Sequence, residues 1–166
     1  DVYKRQAYVL MFFAVMCGLW WIGGLTENDG LIEIVAIPAA LGALGTAGYT
    51  AYLFAQCEGR DLWQTPLLLP VLLAQAVTAG GAAYAVMDVF MDLPEQDAIA
   101  WVLLGGVAAS GAFIWMELAS HGSRHVELAV ETMTHGRYAR QFWVGGIAVG
   151  LIVPAAIAIL VLATDI

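Results

Sequence analysis

Two apolar segments of membrane-crossing length, residues 31–56 and 66–87, are separated by a short polar stretch, 57–65. The first carries one charge, Glu33, near its start, and the second carries none. In hydrocarbon a backbone must satisfy its own N–H and C=O groups, so each segment has to be helical. So short a connection folds the two back on each other as a transmembrane hairpin.

The rest of the chain extends this reading. It is 61% hydrophobic and 12% charged, with a mean hydropathy of +0.81. A water-soluble domain of 166 residues has too little interior to hide that much apolar surface. The net charge of −8 says little about partners, because in a membrane protein the placement of charge matters more than its sum. Cys17 and Cys57 stand apart, with no CxxC, Cys/His cluster or haem-attachment signature, so neither a disulfide nor a metal site is expected. Nucleic-acid binding has no support. Residues 1–6, Asp-Val-Tyr-Lys-Arg-Gln, read as the translation of a sequencing-library adapter and are set aside from the fold; the alternative is a genuine basic juxtamembrane segment.

Apolar runs predict five membrane helices, at about 7–25, 31–56, 66–90, 98–119 and 141–163. The connections 26–30 and 91–97 hold Glu27, Asp29, Asp92, Glu95 and Asp97 without Lys or Arg. The connection 57–65 holds Arg60, and 120–140 holds Arg124, Arg137 and Arg140. Basic and acidic connections alternate as five crossings require. The positive-inside rule then puts 57–65 and 120–140 in the cytoplasm. Residues 7–166 are read as one transmembrane domain.

Gly42, Gly45 and Gly48, and the pairs Gly80-Gly81, Gly105-Gly106 and Gly145-Gly146 with Gly150 beyond, predict close helix packing. Pro38, Pro70 and Pro154 are places for a local kink. Trp20, Trp21, Trp63, Trp101 and Trp143 fall near span ends, where an interfacial aromatic belt belongs. Between Glu117 and Tyr138, the apolar Val126, Ala129, Val130 and Met133 recur at helical spacing, with Arg124, Glu127 and Glu131 elsewhere on the turn. This predicts a short amphipathic interfacial helix, ended by Gly136.

Few residues carry chemistry. His121 and His125 have the i, i+4 spacing of metal or haem ligands, but no span has an interior histidine to complete such a site, and a solvated or headgroup-facing pair is favoured. Glu117 ends a long uncharged run, and Asp88 sits near the far end of the preceding span. Both are candidates for a proton path, since ionisable groups in spans are costly and often functional. The competing reading of Glu117, Asp88 and Glu33 is that each simply reaches water. Tyr49, Gln75 and Thr78, with Thr50, Tyr52, Gln56 and Tyr84, either bridge helices or hydrogen-bond a ligand such as a quinone head group; bridging is the commoner fate. Arg60 and Trp63, beside Glu58 and Asp61, either anchor a partner or cap the hairpin.

Specific wording in the chain resembles a known family. Gly48-Tyr-Thr-Ala-Tyr-Leu-Phe-Ala-Gln, Gly59-Arg-Asp-Leu-Trp-Gln-Thr-Pro-Leu-Leu, Gln75 and Ala79-Gly-Gly-Ala82 are similar to the membrane subunits of polysulfide reductases (NrfD/PsrC-like). So are Glu117-Leu-Ala-Ser-His, His135-Gly-Arg-Tyr-Ala-Arg-Gln-Phe-Trp143, Gly146, Gly150 and Pro154. The resemblance covers residues 7–166. It implies a membrane anchor without haem or metal, in the cytoplasmic membrane of a bacterium or archaeon. Such an anchor exchanges electrons between quinone or menaquinone and an iron–sulfur, ferredoxin-like subunit, which serves a molybdopterin or multihaem catalytic subunit in anaerobic respiration. Family members have eight or more spans, which makes these five the expected last five of eight, with much of the quinone site built upstream. No quinone ligand is therefore carried over to a residue here. The competing expectations are a purely structural anchor and a small transporter or channel fragment; the latter would show discontinuous helices in repeated halves.

Overall fold

The computed structural model describes residues 2–57, 64–91, 93–120 and 123–164. It is all-helical: α1 (Val2–Leu25), α2 (Asp29–Ala55), α3 (Leu68–Asp88), α4 (Gln96–Ala119), α5 (Arg124–Thr134), a wide-wound segment Gln141–Ile152 and α6 (Val153–Thr164). Five stretches are long and apolar enough to cross a membrane: Lys4–Leu25, Asp29–Ala55, Leu68–Asp88, Gln96–Ala119 and Gln141–Ala163. Most of their surface faces outward. Ile34, Ile37, Trp21 and Phe90 are among many large apolar side chains left exposed, as lipid-facing helices require. The chain is an integral membrane protein.

It forms two compact units, 1–56 and 57–166. In the first, α1 and α2 pack as a hairpin. Thr26 returns a side-chain bond to the Ile22 carbonyl (2.9 Å), and Asn28 caps α2 by accepting from Leu31 N–H (3.1 Å). The close packing expected of the α2 glycines is present at Gly42 and Gly45, which face α1. A Cβ at Gly42 would lie 3.2 Å from Phe13 Cα, and one at Gly45 would lie 3.3 Å from Val9 Cγ1. Pro38 is carried inside α2 without ending it.

In the second unit α3 and α4 are an antiparallel pair, and α6 packs beside α4. Its core is Ala100, Leu103 and Ala158, flanked by Ala82, Val107 and Val161. In two of the three predicted pairs, one glycine is at a contact. A Cβ at Gly81 would meet Leu103 Cβ at 3.0 Å and one at Gly106 would meet Thr78 Oγ1 at 2.9 Å, whereas Gly80 and Gly105 face open space. Gly145 and Gly146 also face open space, so their predicted packing role is not used among the described residues.

The last span differs from a simple helix. Residues 141–152 are wound with i→i+5 bonding, the Val153 N–H reaching the Ala148 carbonyl, and ordinary α-winding resumes just before Pro154. Proline lacks an N–H and its ring crowds the carbonyl one turn back, so a change of winding here relieves a clash that an unbroken α-helix would carry. At Pro154, where a kink was expected, the structure shows this change of winding.

The amphipathic helix is present as α5, capped by the Ser123 hydroxyl, which accepts from Val126 N–H (3.4 Å). Gly136 follows its C-terminal cap, His135, and donates its N–H to the Glu131 carbonyl (2.9 Å). It does not take the left-handed conformation usual for such a glycine. The need is for space: a Cβ there would stand 2.8 Å from both Cα and O of Thr132. The Trp143 indole N–H donates to the Thr134 carbonyl (2.9 Å), tying α5 to the start of the last span. Trp20, Trp21, Trp101 and Trp143 are all exposed near helix ends, as a belt requires; Trp63 lies outside the described residues.

Candidate functional site

Among the described residues, those singled out from sequence are spread along the helices of each unit. Tyr49 belongs to the first unit, half-buried, with its ring centroid 6.4 Å from that of the exposed Tyr52. Thr50 turns its hydroxyl back on the Thr46 carbonyl of its own helix (3.2 Å). Gln75 is on an exposed face of α3. Glu33, His125 and His135 are exposed. Arg60, Trp63, Glu58, Asp61 and His121 lie outside the described residues.

Three of the candidates do share a feature. Along α4, Gln96, Leu103, Ser110 and Glu117 recur every seven residues, which keeps them on one face. Leu103 and Ser110 on that face are each only 1% exposed. Along α3, Ala74, Gly81 and Asp88 recur in the same way, with Val71, Thr78 and Ala85 beside them, and Val71, Ala74, Thr78 and Gly81 are buried. Asp88, Thr78 and Glu117 therefore lie on the faces that make the α3–α4 seam.

The seam has three polar stations. Midway, Thr78 donates its hydroxyl to the Ala74 carbonyl (2.9 Å) and lies 3.3 Å from the Ser110 hydroxyl. A hydroxyl has one proton to give, so with Thr78 committed to Ala74 the Ser110 hydroxyl donates to Thr78. At one end Asp88 is half-buried, and its Oδ1 accepts from Leu93 N–H (3.0 Å) and from the Gln96 amide (3.1 Å). Tyr84, one turn before Asp88, donates its hydroxyl to the Pro94 carbonyl. Together these bonds clamp the α3–α4 turn, where Glu95 holds a left-handed backbone (φ 60°). At the other end Glu117 is half-buried in the last turn of α4, and its carboxylate takes no hydrogen bond among the described residues.

The ends are far apart. Twenty-one residues of helix between Gln96 and Glu117 span roughly 30 Å at the usual rise. Leu103 against Gly81 separates the Asp88 end from the hydroxyl pair. Asp88 and Glu117 are thus termini of a seam, not partners in one centre. Ser110 was not singled out from sequence. The signal that would have found it is its seven-residue spacing to Glu117.

Five apolar spans with many large side chains left exposed to lipid define a polytopic helical membrane protein. The family model for polysulphide reductase, NrfD, matches residues 2–165. The chain belongs to the NrfD family of membrane proteins. Comparison with curated proteins and with solved structures gives no match.

Proposed function

We propose that this chain is the membrane anchor subunit of a respiratory oxidoreductase complex, exchanging electrons between the quinone pool and an iron–sulfur partner that serves a molybdopterin or multihaem catalytic subunit. Membership of the NrfD family across nearly the whole chain carries the reading. A line of polar groups in the second unit supports the reading. Quinol oxidation releases protons as well as electrons, and protons need polar groups to leave an apolar bundle. The α3–α4 seam offers Glu117 at one end, the Thr78–Ser110 hydroxyls midway and Asp88 at the other. With the basic connections 57–65 and 120–140 in the cytoplasm of a bacterial or archaeal cell, Glu117 lies at the inner end and Asp88 at the outer.

The test is made on the full-length protein co-expressed with its genomic neighbours. The purified complex is assayed for quinol oxidation and quinone reduction with the iron–sulfur subunit present and absent. Activity that requires both proteins is the expected result. A stable complex without quinone chemistry would make the chain a structural anchor, and failure to form any complex would favour a transporter. Glu117→Gln and Asp88→Asn in the active complex are expected to slow proton release by roughly a hundredfold, the usual scale for losing a positioned proton-transfer group. Unchanged proton release in both would remove the seam from the mechanism.

A further inference from the structure

A small cavity opens at the Asp88 end of the second unit, between α3, α4 and α6. Ala100, Leu103, Ala158 and Val161 form its apolar wall, and Tyr84, Asp88 and Gln96 bring polar groups to it. Its cavity volume is about 20 Å³. Roughly 10–15 Å³ on that measure holds one water, provided two to four polar partners are present. The space is far too small for a quinone head group.

The polar groups have unused capacity. Asp88 Oδ1 already accepts two bonds, from Leu93 and Gln96, while Oδ2 takes none among the described residues. Gln96 spends one amide hydrogen on Asp88 and retains the other, and its carbonyl oxygen is an additional acceptor. Tyr84 spends its proton on the Pro94 carbonyl, which leaves its oxygen as an acceptor. A water in the cavity can donate to Asp88 Oδ2 and to Tyr84, and accept from Gln96.

We infer that this cavity is a single-water site at which the Asp88 carboxyl exchanges its proton with the aqueous side, held in register by Tyr84 and Gln96. The inference deepens the reading of Asp88 as one end of a proton route and rests on it. The exchange is balanced: a hydronium in the cavity gives its proton to the carboxylate and leaves water, and the reverse step returns it. Tyr84 is a positioning residue. Its bond to Pro94 fixes the turn whose backbone holds the opposite side of Asp88. Among the described residues, Tyr84 on α3 interacts electrostatically with both Asp88 and Glu95 of the turn, and α6 lines the cavity with the apolar Ala158 and Val161.

The experiment uses the full-length protein in its complex, in lipid nanodiscs and without quinone. Electron cryomicroscopy at a resolution that shows ordered water reads the cavity directly. Infrared difference spectra in H2O and D2O read the Asp88 carboxyl, assigned by its loss in Asp88→Asn. The expected result is one water within hydrogen-bond reach of Asp88, and a carboxyl band that shifts in D2O and again in Tyr84→Phe. Ala100→Val, which fills the cavity from its apolar wall, is expected to remove the water and the D2O sensitivity. A dry cavity in the unaltered protein overturns the inference. So does an Asp88 band indifferent to D2O and to Tyr84→Phe, a variant that leaves the packing around the ring intact. Because quinone takes no part in these readings, a failure of the electron-transfer proposal shows in the turnover assay alone.

Discussion

The hydroxyls of Thr78 and Ser110, 32 residues apart in sequence, lie 3.3 Å apart in the buried seam between α3 and α4. Thr78 is also bonded to its own helix, so the pair links the two helices through a short chain of bonds ending on the Ala74 carbonyl. Inter-helix hydrogen bonds in membranes contribute modestly, about 0.6 kcal/mol on average, because the separated helices find other partners. A double-mutant cycle of Thr78→Val and Ser110→Ala, read by unfolding of the purified protein in detergent, is expected to give a coupling of that order. Ser110→Leu is different, since a side chain 1% exposed has no room to grow. It is expected to destabilise by about 1–3 kcal/mol through overpacking.

Neighbouring glycines give a sharper test of the seam. A Cβ added at Gly106 would lie 2.9 Å from Thr78 Oγ1, 3.0 Å from Thr78 N and 3.1 Å from Val77 Cγ1, and the backbone nitrogen cannot move aside without moving α3. A Cβ at Gly105 would meet nothing within 4 Å. Gly106→Ala is therefore expected to destabilise by about 1–3 kcal/mol. Gly105→Ala is expected to be neutral or to gain up to about 1 kcal/mol of helix propensity. Equal effects of the two in thermal unfolding would mean that the helices do not approach at Gly106.

The spans were legible because length and apolarity alone decide them: 98–119 expected against Gln96–Ala119 observed, for example. The amphipathic α5 was legible from the spacing of Val126, Ala129, Val130 and Met133. The seam was only partly legible. Asp88 and Glu117 stood out as charges in apolar runs, but a serine such as Ser110 does not, and its seven-residue step from Glu117 carries meaning only once the partner face on α3 is known. Which glycine of a pair is buried follows from the same phase: Gly81 is three residues from Thr78, and Gly106 four from Ser110. The wide winding of 141–152 was not legible. It is a property of backbone bonding, and Gly145, Gly146 and Gly150 read equally well as packing residues. Nothing in the sequence announced that Gln75 would be exposed while Thr78, less than a turn on, is buried.

The turn before α4 holds Glu95 at φ 60° and ψ 37°, a left-handed conformation that costs a residue with a Cβ roughly 1–2 kcal/mol. The side chain itself is exposed. Glu95→Gly relieves the strain and adds back about 0.5–1 kcal/mol of chain entropy, so it is expected to leave stability unchanged or raise it by up to about 1 kcal/mol. Glu95→Val puts a β-branched residue into the same backbone and is expected to lose at least about 1 kcal/mol. The opposite order of stability would mean that the turn is not left-handed at this position.

Asp88 has both a structural and a proposed chemical role, and two substitutions separate them. Its Oδ1 accepts from Leu93 N–H and from the Gln96 amide, which holds the end of α3 to the start of α4. Asp88→Asn retains an oxygen able to accept both bonds and removes the exchangeable carboxyl proton. Asp88→Ala removes both. If the carboxylate were only a clamp, Asn would preserve proton release and Ala would fail through instability alone. If it also exchanges protons, Asn is expected to keep the turn within about 1 kcal/mol of the unaltered protein, while Ala loses about 1–3 kcal/mol by leaving two donors unpaired. Both variants are then expected to lose proton release in the assembled complex. The deciding measurement is thermal unfolding alongside proton release in the same preparation of Asp88→Asn. A fold that melts near the unaltered temperature with proton release lost assigns the chemistry to the carboxyl, and a fold that melts there with release intact leaves Asp88 as the clamp of the α3–α4 turn.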